Sequence, residues 1–150
     1  MSTATGALSI TAGPDYYCTR HQDGLARCWG NNSSGQLGNG NLTTQGTPVV
    51  VQGLSAPVEL RAGEDHVCAR LGDGSAWCWG EGGNGQLGLN SLVDQPAPTV
   101  VAGLPPVVEL AVGQDHSCAR AADGSVWCWG EGGLGQQGNG ATADVLVATQ

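Results

Sequence analysis

The chain has 150 residues, and its 13 acidic and five basic side chains give a formal net charge of −8. A chain this acidic repels a phosphate backbone, so we expect no nucleic-acid partner. No segment approaches the roughly 18 apolar residues that a membrane-spanning helix needs, so we expect no membrane partner, and residues 1–12 lack the basic start and apolar core of a signal peptide.

Three copies of one 50-residue unit fill the chain, at about residues 1–50, 51–100 and 101–150. Asp-Gly recurs at 23, 73 and 123, Cys-Trp-Gly at 28, 78 and 128, and Gly-Gln-x-Gly at 35, 85 and 135. A period of this length is typical of solenoids and propellers. The 26 glycines follow no three-residue period, which excludes collagen, and they suit short strands joined by tight turns.

Within the second repeat, alternation and turn residues predict four strands in chain order, at 57–62, 65–71, 75–80 and 97–102. A glycine-rich connection, 81–96, separates the last two strands, and no segment has a helical period. Four short strands make one propeller blade. We therefore predict an all-β fold, a β-propeller of four-stranded blades with three blades in the chain.

The hairpin between the second and third strands places two cysteines opposite each other. Its Gly-Asp-Gly loop at 72–74 fits a three-residue turn, and counting outward from Leu71 and Ser75 brings Cys68 opposite Cys78. Backbones approach closely enough for a disulfide in this register. The predicted pairs are Cys18 with Cys28, Cys68 with Cys78, and Cys118 with Cys128.

Two alternatives remain for the cysteines, a reduced packed pair and a metal site. Zinc ligands usually stand two to four residues apart, whereas these cysteines are ten apart, so we expect no metal. Disulfides favour an extracytoplasmic or secreted location.

Alternation also sorts the hairpin into two faces. One face carries Val67, Ala69, Leu71, Trp77 and Trp79, and the other carries His66, Cys68, Arg70 and Cys78. We expect the tryptophans to pack one blade against the next. The alternative is a carbohydrate-binding propeller whose stacking plates are Trp29, Trp79 and Trp129, or Trp77 and Trp127.

The repeat resembles the regulator of chromosome condensation repeat family. The second repeat shows Gly63, His66, Asp73-Gly74, Trp79-Gly80 and Gly85-Gln86-Leu87-Gly88 in the family's order. The resemblance implies a propeller, typically of seven blades, and functions that range from nucleotide exchange on a small GTPase to secreted bacterial inhibition of β-lactamases. The cysteine pairs resemble the bacterial, extracytoplasmic branch.

The resemblance also assigns structural roles to one set of repeated residues. These are Tyr16, His66, His116, Trp29, Trp79, Trp129, Gly30, Gly80 and Gly130. The repeats have diverged, since Tyr16 replaces histidine and Arg27 replaces tryptophan in the first, and Gln137 replaces leucine in the third.

We expect no catalytic residue and no cofactor. His66 and His116 each stand two residues before a cysteine, but a cysteine held in a disulfide has no thiolate to activate. No phosphate-binding or nucleophile motif is present.

Strand direction places the turn before each second strand and the long glycine-rich loop on one rim of the propeller. This rim is predicted to be acidic and to bind a basic protein surface. The alternative is a solvated rim that only confers solubility. The candidate binding residues are Asp15, Glu64, Asp65, Glu81, Asp115 and Glu131, with Asp94 and Asp144 nearby.

A propeller closes with roughly four to eight blades, and three repeats supply only three. Open ends would expose apolar blade faces, so we expect a homodimer that closes six blades around a twofold axis. A fragment or an engineered model of propeller assembly, with no ligand, is the alternative.

Overall fold

The computed structural model describes residues 5–150, so the first four residues of the first predicted repeat lie outside the described part. These residues form three four-stranded antiparallel sheets, each with its strands in chain order. The fold is all-β, as predicted. The strands are β1 (Ala7–Ala12), β2 (Tyr16–His21), β3 (Ala26–Gly30), β4 (Gln45–Val50), β5 (Pro57–Ala62), β6 (His66–Leu71), β7 (Ala76–Gly80), β8 (Gln95–Val100), β9 (Val107–Val112), β10 (His116–Ala121), β11 (Val126–Gly130) and β12 (Val145–Thr149).

No helix long and apolar enough to cross a membrane occurs within residues 5–150.

The register of the central hairpin confirms the prediction. Cys68 lies opposite Cys78 and Ala69 opposite Trp77. The Leu71 amide donates to the Ser75 carbonyl at 3.0 Å, and the turn closes with a bond from Gly74 to the Leu71 carbonyl at 3.1 Å. Gly74 has φ +85°, the left-handed conformation that the three-residue turn requires.

The fourth strand lies two residues earlier than predicted, at Gln95–Val100 instead of 97–102. Its ladder pairs Gln95 with Gly80 across a bulge, so the strand begins before Pro96, whereas the predicted strand began after this proline. Val101 then leaves the strand with its side chain 3% exposed in the core. The sequence prediction therefore included Val101 in the strand, whereas it is a buried residue just beyond the end of the strand.

The core lies between the blades. Val67, Ala69 and Trp79 of the second blade pack on Tyr16 and Leu37 of the first. The opposite face of the second blade, with Cys68 and Cys78, packs on the third blade. The two faces predicted for the hairpin therefore both face neighbouring blades.

The first strands of the three blades are neighbours, since β5 contacts both β1 and β9. They form a continuous wall on one side of the row of blades. This wall carries a groove lined by residues of all three blades.

Candidate functional site

The acidic rim is defined here as the eight carboxylates at the β1–β2, β5–β6 and β9–β10 turns and in the long loops. They are Asp15, Glu64, Asp65, Glu81, Asp94, Asp115, Glu131 and Asp144.

Backbone hydrogen bonds bring the turns and loops of the rim together. The first loop residue of each repeat donates its amide to the carbonyl of the turn aspartate, from Glu81 to Asp65 at 2.9 Å and from Glu131 to Asp115 at 2.8 Å. Asn31 does the same to Asp15 at 2.9 Å. The turn and loop carboxylates therefore share one edge of every blade.

The rim carboxylates influence one another electrostatically. Burial raises the pKa of Asp65, and the nearby charges of Glu64, Asp15 and Asp94 raise it further, while a hydrogen bond from Gln36 lowers it. Burial is also the largest cause of the raised pKa of Glu81. A set of partly desolvated like charges favours the approach of a cation or a basic side chain.

The same holds for Asp115, whose pKa is raised first by burial and then by Glu64 and Glu131. Glu64 of the second repeat thus acts on the aspartate of the third. The rim is therefore one electrostatic surface that runs across repeats.

Glutamines of the Gly-Gln-x-Gly motif hold rim carboxylates in place. The Gln36 side-chain amide donates to Asp65 Oδ1 at 2.6 Å and so links the first blade to the second. In the later repeats the equivalent Gln86 and Gln136 donate instead to the glutamate of their own loop, at 3.3 and 3.0 Å. The long loops are therefore tied to the acidic edge.

A shallow cleft of about 400 Å³ lies where the three turns meet. Gly13, Gly63 and Gly113 contribute one backbone segment from each repeat, and Glu64 and Gln114 line it as well. Such a cleft offers peptide groups and one carboxylate beside the acidic rim.

The tryptophans of the Trp-Gly pairs in the second and third repeats pack each blade against the preceding one. Trp79 and Trp129 are fully buried, and their indole N–H groups donate to the carbonyls of Gln36 and Gln86 on the preceding blade, at 3.0 and 2.8 Å. Buried rings cannot serve as plates for a sugar. Trp29 is half-buried and stacks on Tyr17, with ring centroids 5.6 Å apart.

Trp77 and Trp127 are also half-buried, and each donates its N–H to the serine two residues before it.

The glycine that follows Trp29, Trp79 and Trp129 lies against the backbone of the turn aspartate in the same blade. Gly30, Gly80 and Gly130 have φ of +111°, +100° and +101°. A Cβ on any of them would overlap the carbonyl oxygen of the aspartate in the same blade's first turn. Only glycine permits this approach.

Two of the three residues at the histidine position, Tyr16 and His66, lie in the junctions between blades. The Tyr16 hydroxyl donates to the His66 carbonyl at 2.7 Å, and burial, with a smaller contribution from the charge of Asp65, raises the pKa of Tyr16. His66 Nε2 lies 2.9 Å from Ser117 Oγ of the third blade. Burial lowers the pKa of His66 to about 3, so this imidazole is neutral at physiological pH.

His116 faces the outer side of the third blade and is partly exposed.

All three predicted disulfides form, and the six cysteines leave no free thiol. The first two bridges are buried between blades, whereas Cys118 and Cys128 are partly exposed on the outer face of the third. Within the described residues no three histidine, cysteine or carboxylate side chains are grouped to hold a metal ion.

Sequence reasoning missed a set of arginines on the second strands, beside the wall of first strands. Arg20, Arg70 and Arg120 recur at the 50-residue period, but the pairing of each with the strand beside it needs the register of β1–β2, β5–β6 and β9–β10. The repeat period was the available signal.

Comparison with known proteins supports the fold and the family. No curated protein matches the sequence significantly. Among solved structures, human WBSCR16 is 24% identical, with a TM-score of 0.85, over 95% of this chain and 38% of that one. A structure of Kap60 bound to yeast RCC1 (Prp20) is also 24% identical, with a TM-score of 0.77, over 95% of this chain and 37% of that one.

Prp20p from Saccharomyces cerevisiae, whose structure was described together with its binding to Gsp1p and histones, is 20% identical. Its TM-score is 0.53, over 95% of this chain and 50% of that one. The chain thus spans half or less of the length of these structures, and likeness at this identity shows the fold.

The regulator of chromosome condensation (RCC1) repeat matches residues 23–70 and 73–120, and a second description of the same repeat matches 8–36, 58–86 and 107–136. These matches cover most of the chain. The three matches of the second description each fall within one blade, whereas the two of the first each run from the second hairpin strand of one blade into the next blade. The chain belongs to the regulator of chromosome condensation repeat family.

Proposed function

We propose that this protein is a non-enzymatic interaction scaffold whose acidic rim docks a basic protein surface. The observation that carries the proposal is the shared field of the rim, in which burial and mutual repulsion raise the pKa of Asp65, Glu81 and Asp115 together. A basic partner relieves this repulsion. The fold is of a kind that serves protein interaction, since the related yeast structure has Kap60 bound.

Rim charge can be tested separately from net charge. The probe is a ten-residue lysine peptide, titrated by fluorescence anisotropy at low and at physiological salt. Asp65→Asn with Asp115→Asn removes two rim carboxylates, and we expect binding to weaken about tenfold or more, with a marked salt dependence.

The matched control removes two carboxylates from the opposite edge, by Asp73→Asn with Asp123→Asn at the hairpin tips. We expect this pair to leave peptide affinity close to that of the wild type. Equal losses in both double variants would show that net charge alone attracts the peptide, and the rim would then have no special role.

We also propose that a second copy of the chain covers the outer blade faces. In the first blade Ile10 and Tyr17 are 63% and 44% exposed, whereas Leu60 and Val67, which occupy the same positions in the second blade, are buried between blades. In the third blade Val126 is 53% exposed, and the equivalent Ala76 is buried. Because the repeats are related, the outer faces of the first and third blades correspond to the faces that pack against each other at the inner junctions.

Sedimentation equilibrium across a range of protein concentrations tests the association. We expect a mass near twice 15.1 kDa for the wild type and a single-chain mass for Tyr17→Glu, which buries a charge in the proposed contact. Leu92→Glu, at an exposed apolar residue of a loop, should remain associated. A wild-type monomer at every concentration would refute the assembly.

The three disulfides support a further proposal, that the protein works in an extracytoplasmic, oxidising compartment.

A further inference from the structure

Four of the five basic side chains of this acidic protein line one groove. The groove, of about 430 Å³, runs along the wall of first strands. Its charged lining residues are Arg20, Arg61, Arg70, Arg120, Glu59 and Glu109. Four arginines and two glutamates give a local charge of +2, opposite in sign to the −8 of the whole chain.

In two of the three repeats a glutamate on the first strand neutralises the arginine of the second strand. Glu59 lies opposite Arg70 in the ladder, with Oε2 3.0 Å from Nε. Glu109 lies opposite Arg120 in the same register, at 2.8 Å. The second and third blades therefore each carry one cross-strand ion pair at this position.

The first repeat lacks the acid. Ser9 stands opposite Arg20, where the other repeats have glutamate. Arg20 Nε is buried, and among residues 5–150 it has no hydrogen-bond partner. Arg20 as a whole is partly exposed, but its Nε is a buried donor of a charged group, and such a donor is costly to leave without a partner.

No neighbouring carboxylate compensates for the missing one. Glu59 is already shared, since its Oε1 also lies 2.9 Å from Arg61 Nη2 and its Oε2 holds Arg70. Arg61 reaches the next blade as well, where its Nε donates to the Leu110 carbonyl at 3.3 Å. Among the described residues, Arg20 is therefore the one arginine of the groove that no carboxylate pairs.

We propose that this groove binds a carboxylate group at Arg20, in the place that glutamate fills in the other two repeats. The planar guanidinium fits a carboxylate through parallel N–H donors. Arg61, which is exposed, adds a second cation within the same groove. The ligand is either a small dicarboxylic acid or the acidic side chain of a peptide.

The test follows the Arg20 Nε–H signal by NMR at constant ionic strength. Succinate, a triglutamate peptide and inorganic phosphate are titrated separately. We expect succinate or the peptide to shift this signal saturably, and the arm that binds more tightly identifies the source of the carboxylate.

The decisive variant is Ser9→Glu, which supplies the missing acid from within the chain. We expect it to weaken carboxylate binding about tenfold or more, as for loss of a charge-assisted hydrogen-bonded pair, and to raise the melting temperature as a third internal ion pair forms. Ser55→Glu makes the same charge change at an exposed position outside the groove lining and should bind as the wild type does.

Three results would overturn the proposal. The first is the absence of a saturable shift with either carboxylate. The second is binding that Ser9→Glu leaves intact, and the third is phosphate binding tighter than that of both carboxylates, since each would mean that the groove is not complementary to a carboxylate at Arg20. Because these probes are anionic, failure here leaves the acidic-rim proposal untouched.

Discussion

Acid should weaken the junction between the second and third blades through His66. This imidazole is fully buried, and its Nδ1 has no hydrogen-bond partner among the described residues. Its pKa is about 3 in the folded protein, where burial is the main cause and His116 a smaller one, against an ordinary value of 6.5. Below pH 6.5 the His66 imidazole therefore binds a proton in the unfolded chain, whereas in the folded chain it stays neutral down to about pH 3.

The sign and size follow from proton linkage. The stability that comes from a neutral His66 is complete above pH 6.5 and is lost progressively as the pH falls toward 3. At pH 5 the loss relative to pH 8 is about 2 kcal/mol, and the limiting loss is about 5 kcal/mol. The raised pKa of Asp65 and of Asp115 acts in the opposite direction, since a folded carboxyl that gains a proton more readily stabilises the fold in acid.

The variant His66→Tyr separates the two effects. Tyrosine occupies the same position in the first repeat, where Tyr16 donates to the Gly63 and His66 carbonyls, so the junction accepts this side chain. Guanidinium unfolding at pH 5 and pH 8, without reductant, gives the free energy of unfolding for both proteins. We expect the pH-dependent loss to be about 2 kcal/mol smaller in the variant, and an equal loss in both proteins would refute the linkage to His66.

Other predictions concern the disulfides and the backbone. Mild reductant followed by alkylation and mass spectrometry should open the disulfide of the third repeat first, because it is the partly exposed one, and association of two chains should protect it. Gly80→Ala should cost more than about 3 kcal/mol or prevent folding, since its Cβ would overlap the Asp65 carbonyl oxygen and lie 2.8 Å from the His66 Cα. Gly53→Ala, at φ +70° with no atom within 4 Å, should cost only about 1 kcal/mol, so equal costs in denaturant unfolding would contradict the steric argument. Tyr16→Phe should lose about 1–2 kcal/mol in the same assay, because it removes a buried hydrogen bond to the His66 carbonyl, which then keeps only the bond from the Gly63 amide.

Much of the fold could be predicted because the repeat supplies its own register. The three-residue turn at 72–74 fixes one pair of the hairpin, and every further pair, including Cys68 with Cys78, follows by counting. The tight turn admits few geometries, which is why local sequence was sufficient.

The fourth strand was misplaced because its position depends on tertiary packing. The sequence predicted this strand at 97–102, whereas the ladder begins at Gln95 and ends at Val100, and Val101 is buried between blades. The position of the rim was predictable from strand direction, but the exposure of Trp29 was not. Its equivalents Trp79 and Trp129 are each buried by the preceding blade. Within the described residues no blade precedes the first one, so Trp29 stays partly exposed.

The arginine groove shows what a repeat sequence contains beyond its fold. Glycines such as Gly80 recur because every blade needs the same close approach, so their identity is explained by packing alone. Ser9 is different. In the other two blades a glutamate stands opposite the equivalent arginine, so a glutamate at position 9 would pair with Arg20 in the same register. The fold gains nothing from the substitution and leaves a buried guanidinium nitrogen unpaired. A carboxylate from a ligand restores that pair. The cationic groove is separate from the acidic rim, so one chain can bind an acidic group at the wall of first strands and a basic group at the rim.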